Sequence, residues 1–199
     1  MLTYGEINKI KAKIISDYRI NCGKYKIFWE YTQKSVCSKK YSAGGKIYPY
    51  GMYFISKITE KEYDRPIGHF TDDPKKSDFE YCYSSDGVLK IITRKGEKRT
   101  FLEYNDNSVS LFSYDINTNE GSPKFLTAIG YEYTEEGRRI FVDTSMWGTR
   151  SFSLDIEELL TSGGTAVGYS YHLMSDDYSL IYGEDTPDKI SDDCAVFLL

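Results

Sequence analysis

Chemistry near neutral pH needs groups that gain and lose a proton there, and this chain has few. Its histidines are His69 and His172, so acid–base or nucleophilic work would run through one of them, a carboxylate or a cysteine. His69 lies in the polar segment 60–78, where plain surface exposure is expected. His172 closes Gly168-Tyr169-Ser170-Tyr171-His172, which approaches the Gly-x-Ser-x-Gly nucleophile elbow. The final glycine is absent, as is the alternating α/β order that such an elbow needs. Asp176-Asp177 and Asp192-Asp193 are hard-oxygen ligands, but nothing follows the alternating spacing that wraps calcium, so they read as solvated turns. Gly44-Gly45-Lys46 lacks the spacing and the Ser/Thr of a phosphate-binding loop. Cys22, Cys37, Cys82 and Cys194 form no Cys-x-x-Cys pair and read as free buried thiols. No catalytic residue, metal or cofactor is assigned on these grounds.

Charge points instead to binding. Residues 1–100 hold 20 Lys/Arg against 12 Asp/Glu, and residues 101–199 hold 5 against 18. Such a split bears on partners and solubility more than on fold. Lys24, Lys26, Lys34, Lys39 and Lys40 interleave with Trp29, Tyr31 and Tyr41, as in a single-strand nucleic-acid binder. The acidic second half would repel phosphate, so nucleic acid is not the expected partner. In that half, Tyr169, Tyr171, Asp176, Asp177, Tyr178, Tyr182, Glu184 and Asp185 combine aromatic anchors with negative steering charge. They form the predicted protein-binding surface, suited to a basic protein partner. A small acidic protein without catalytic machinery suggests a toxin-neutralising immunity protein as the concrete form. The N-terminal residues show no apolar leader and no run of membrane-spanning length, so a cytoplasmic location without membrane contact is expected.

The elements that must position these residues read as α+β, mainly antiparallel β, in a single domain over 1–199. Thr3 and Glu6 fit a capping box, followed by Ile7, Ile10, Ile14, Ile15 and Tyr18 on one stripe and flanked by Lys9, Lys11 and Lys13. An N-terminal amphipathic helix over 1–22 follows from that pattern. Segment 23–78 reads as strands and a polar loop. The strands fall at 25–31 and 47–58, a turn at Ser42-Ala43-Gly44-Gly45, and a mobile loop or boundary at 60–78. Segment 79–154 reads as a β-meander, with strands at 79–83, 88–94, 99–104, 108–114, 124–133, 138–144 and 149–154. Segment 155–199 carries a short helix at Asp155–Leu160, strands near 166–173 and 178–182, and a final apolar stretch at Ala195–Leu199. The 19 Tyr, 10 Phe and 2 Trp support a β-rich reading, because half-buried strand positions suit such side chains.

Two resemblances are carried by particular residues. Tyr81-Cys82-Tyr83-Ser84-Ser85-Asp86-Gly87-Val88-Leu89 and Tyr131-Glu132-Tyr133-Thr134-Glu135-Glu136-Gly137-Arg138-Arg139-Ile140 share an aromatic-x-aromatic, turn, strand pattern. Residues 79–144 thereby resemble the tyrosine–aspartate (YD) repeats of Rhs-type proteins, which implies strand–turn–strand units in a continuous sheet. Tyr83, Tyr104 and Tyr133 stand 21 and then 29 residues apart, which departs from a fixed repeat. Tyr50-Gly51-Met52-Tyr53-Phe54-Ile55-Ser56 looks like the Gly-x-Tyr-Phe-Ala/Ser strand of ADP-ribosyltransferases. That resemblance implies Tyr53 as a nicotinamide-stacking residue and a downstream acid such as Glu132 or Glu157. The family's His-Gly signature is absent, and Arg19 is a loose stand-in for the arginine of its toxin branch. An enzyme of that kind is the alternative to a protein-binding module.

Overall fold

The computed structural model describes residues 2–47, 68–117, 126–147, 151–162, 165–175 and 190–198. Among these, the chain forms helices α1 (Tyr4–Asn21) and α2 (Tyr25–Gln33) and eleven strands. The strands are β1 (Val36–Ala43), β2 (His69–Thr71), β3 (Phe79–Ser84), β4 (Leu89–Arg94), β5 (Lys98–Asn105), β6 (Ser108–Asp115), β7 (Leu126–Glu135), β8 (Arg138–Trp147), β9 (Ser151–Ser162), β10 (Thr165–Ser175) and β11 (Ile190–Leu198). The fold is α+β and mainly antiparallel β, as the sequence predicts. Chain contacts gather into two compact units. One holds Met1–Gly23, Glu103–Ser113 and Phe125–Leu199, and the other Lys24–Leu102 and Tyr114–Lys124.

In the α1 unit the helix begins where its sequence requires. The Thr3 N–H and hydroxyl each donate to Glu6 Oε2 at 2.8 Å, and the Glu6 N–H donates back to Thr3 Oγ1 at 3.3 Å. This reciprocal box satisfies donors that the first turn would otherwise leave open. Gly23, with φ at +83°, follows the helix end. Strands β7 to β11 run as a meander, each pairing antiparallel with the next. Alternation gives this sheet two faces. Ile7 and Ile14 of α1 and Leu2 are buried, as are Ile129, Val142, Leu154, Ile156 and Tyr171 of the strands. Tyr131 belongs to the same face, with Lys13 Nζ of α1 4.8 Å from its ring centre. Buried Thr144 also holds β8 to β7, accepting from Ile129 N–H at 2.8 Å and donating to Ile129 C=O at 2.9 Å.

The α2 unit pairs β2 with β1, β1 with β3, β3 with β4 and β4 with β5, all antiparallel. Here the expected strand at 25–31 is corrected to helix α2. The run Tyr-Lys-Ile-Phe-Trp-Glu-Tyr satisfies both periods, and packing decides between them. A helix places Tyr25 and Phe28 together, with ring centres 5.7 and 5.4 Å from Phe101. Tyr25 also meets Tyr114 edge-on at 5.6 Å. An extended chain would put Tyr25 and Phe28 on opposite sides. Strand β1, absent from the sequence reading, covers Ser42 and Ala43, which were expected to lie in a turn. Its mostly exposed lysine-bearing surface hides the apolar pattern that marks a strand. Within 68–78, the expected loop contains β2 and a short 3-10 turn at Pro74–Lys76. The strand expected at 47–58 falls almost wholly outside the described residues.

The expected helix at Asp155–Leu160 is also corrected. Those residues lie inside β9, which absorbs the strand predicted at 149–154. Leu154, Ile156 and Glu158 alternate toward the α1 side. The third buried position is a carboxylate, and that interrupts the apolar period from which a strand is read. No helix among the described residues is long and apolar enough to cross a membrane.

Candidate functional site

The α1 side of the α1 unit contains a hydrogen-bonded chain of charged and polar groups. Glu158 stands on β9 with 1% of its surface exposed. Arg138, at the first position of β8, donates from Nε to Glu158 Oε1 at 2.8 Å and from Nη2 to Glu6 Oε1 at 3.0 Å. The Tyr171 hydroxyl makes a longer 3.4 Å contact to Glu158 Oε2 and accepts from Leu2 N–H at 2.8 Å. The Thr3 backbone N–H, then its hydroxyl, then Arg138 hold the Glu6 carboxyl down at about 2. The Glu6–Arg138 ion pair runs against the overall charge split, since the basic half supplies the acid and the acidic half the base. These hydrogen bonds run between α1, the residues before it and the sheet, so the chain fastens α1 to the sheet.

The opposite face of the same sheet is different. Register sets Glu132 of β7 opposite Phe141 of β8, and Phe141 opposite Glu157 of β9. One step along, Asp143 lies opposite Asp155, and Asp155 is in register with His172 of β10. Arg139 lies on this face too, opposite Thr134 and Leu159. Asp143 and Arg139 are exposed, while Phe141, Asp155 and Glu157 are partly covered. Glu132 is buried at 7% exposure, and its Oε2 has no hydrogen-bond partner. Burial pushes this carboxyl above the usual range, and the charge on Arg139 offsets the shift in part. Among the described residues, no group of three or more His, Cys, Asp or Glu side chains is gathered so as to hold a metal ion.

The predicted binding residues divide in three ways. Tyr171 is 3% exposed and belongs to the α1-side chain of hydrogen bonds, an internal position that a partner cannot reach without opening the core. Tyr169 is partly covered on β10, opposite Glu158. Asp176, Asp177, Tyr178, Tyr182, Glu184 and Asp185 lie outside the described residues, as does Tyr53. Glu132 and Glu157, singled out as downstream acids, meet in one cross-strand row around Phe141. His69 is exposed on β2. Of the cysteines, Cys22 and Cys37 are exposed, contrary to expectation, while Cys82 is buried, which pushes its thiol up to about 12.

Sequence reasoning missed Asp143, Asp155 and Phe141 as site residues. Their pairing depends on β9 being a strand, and the helix expected at 155–160 concealed it. In the α2 unit, several cations of the basic half are engaged locally. Arg99 lies 3.9 Å over the Trp29 ring and donates to Tyr25 OH, and Lys40 stands over Phe70 and Tyr83. No protein-family model, curated protein or solved structure gives a significant match to this chain.

Proposed function

We propose that the protein is a non-enzymatic protein-binding module whose acidic sheet face, carried by β7, β8 and β9, receives a basic protein partner. Neutralisation of a basic toxin is the concrete form of that role. The carrying observation is the direct opposition of Asp143 and Asp155 across β8 and β9. That register gathers carboxylates from adjacent strands on one side of the sheet, and such a grouping attracts a cationic partner. Glu157 and Glu132 on the same face extend the negative field, which would speed encounter with a basic surface. The reading shifts the predicted surface from the tyrosine-rich segment to the sheet. Tyr171, one of the predicted anchors, is built into the core.

The test is co-expression with basic proteins encoded beside this gene, followed by purification and titration at low and high salt. The expected result is a complex that weakens as salt rises, and more so for an Asp143→Asn/Asp155→Asn variant. A basic neighbour that fails to bind at low salt, or binds the variant equally well, overturns the reading.

A further inference from the structure

Helix α2 carries apolar side chains on two faces, and the fold covers one of them. Tyr25 and Phe28 pack against Phe101, and Thr32 on the same side is buried. Ile27 and Tyr31, one turn apart on the other side, are 64% and 80% exposed. Lys24 and Lys34 extend that stripe by a turn at either end, since offsets of three and four residues share a helix face. Lys24 is the N-cap, makes no side-chain capping bond, and precedes a first turn without an acidic residue. Among the described residues, neither Lys24 nor Lys34 has a carboxylate partner. Glu30, the acid of this helix, pairs instead with Lys26 at 3.8 Å.

We propose that this stripe docks an acidic amphipathic helix of another protein, whose apolar side chains cover Ile27 and Tyr31 while its carboxylates meet Lys24 and Lys34. Charge selects the partner. A carboxylate at Lys24 also faces the positive end of the helix dipole. A helix with apolar anchors one turn apart and acids a turn beyond each matches the spacing of the stripe. Other occupants fit less well. Single-stranded nucleic acid stacks on a series of open rings, and Trp29 is already taken, with Arg99 3.9 Å over its ring and Tyr25 parallel to it. A membrane surface calls for a longer apolar face than two side chains on a nine-residue helix provide. The stripe belongs to the α2 unit, so the proposal stands apart from the acidic-face reading.

The test titrates the full chain by calorimetry with a stapled helical peptide of about 15 residues, or roughly four turns. The peptide carries two leucines one turn apart with glutamates a turn beyond each, and its counterpart has lysines in place of the glutamates. The glutamate peptide is expected to bind at low salt and the lysine counterpart to fail. Ile27→Ala/Tyr31→Ala should weaken binding by about tenfold, and Lys24→Gln/Lys34→Gln by about two- to fivefold. Both variants should keep the melting temperature, because all four side chains lie outside the face packed on Phe101. A glutamate peptide that does not bind, binds no better than its counterpart, or binds both variants as it binds the unaltered chain overturns the proposal. So does capture of oligothymidylate or phosphatidylserine vesicles that Ile27→Ala/Tyr31→Ala abolishes. A dimer of the chain that the same variant dissociates would give the stripe to a second copy and also overturn it.

Discussion

Arg138 donates to Glu158 at 2.8 Å, and the carboxylate it meets is among the most deeply buried side chains of the protein. A buried charge is tolerated when its partner is in place and is costly when the partner is removed. The same guanidinium reaches Glu6, so one side chain joins β8, β9 and the first turn of α1. Arg138→Ala is therefore expected to destabilise the fold by on the order of 3 kcal/mol. Arg138→Met/Glu158→Leu should recover much of that loss, since it removes both charges. Urea unfolding of both variants checks this. A double variant no more stable than Arg138→Ala would mean that the loss comes from packing.

Glu6 makes the helix attachment depend on acid. Its carboxyl is held at about 2, against an ordinary value of 4.5, first by the Thr3 backbone N–H, then the Thr3 hydroxyl, then Arg138. A group whose pKa is depressed by folding contributes stability that is complete above its unfolded pKa and disappears as pH falls through the folded one. The contribution should thus be fully present above about pH 4.5 and lost between there and about pH 2. Melting curves of the unaltered chain and Glu6→Gln should differ at neutral pH and converge across that window. A constant offset down to pH 2 would contradict the assignment.

These relationships also show how far the residues alone could lead. The capping box was legible because Thr3 and Glu6 are close in sequence and their chemistry is local. The hairpins of residues 79–144 were legible for the same reason, since turn residues and alternation sit side by side. Helix α2 was not, because its aromatic run suits either period and only contact with Phe101 and Tyr114 selects one. Strand β9 was not, because Glu158 looks like a surface residue until Arg138, 20 positions earlier, is set against it. The candidate face inherits that difficulty. Asp143 and Asp155 are 12 residues apart, and only the β8–β9 register makes them neighbours.

Tyr171 separates an internal role from a surface role. Its hydroxyl accepts from Leu2 N–H and contacts Glu158, so Tyr171→Phe leaves a buried N–H without its acceptor. The expected loss is about 1–3 kcal/mol, with affinity for a basic partner unchanged at temperatures where the variant stays folded. Thermal unfolding and peptide titration on the same sample read the two effects separately. Lost affinity with intact stability would return Tyr171 to the binding surface.

Asp143 offers the opposite combination, because it is exposed and lies directly opposite Asp155. Exposed substitutions of this kind usually change stability by about 0.5 kcal/mol or less, so Asp143→Asn should fold about as stably as the unaltered chain. The same change weakens the field that steers a cationic partner, and rim charges act mainly through the association rate. Stopped-flow association with an arginine-rich peptide should therefore be slower for Asp143→Asn at low salt, and the two rates should merge as salt screens the face. Equal rates at low salt would mean that Asp143 lies outside the encounter surface. A drop in stability would mean that its carboxylate serves the fold. Unchanged stability with slower association is the pattern of a charge that serves a partner and not the sheet that bears it.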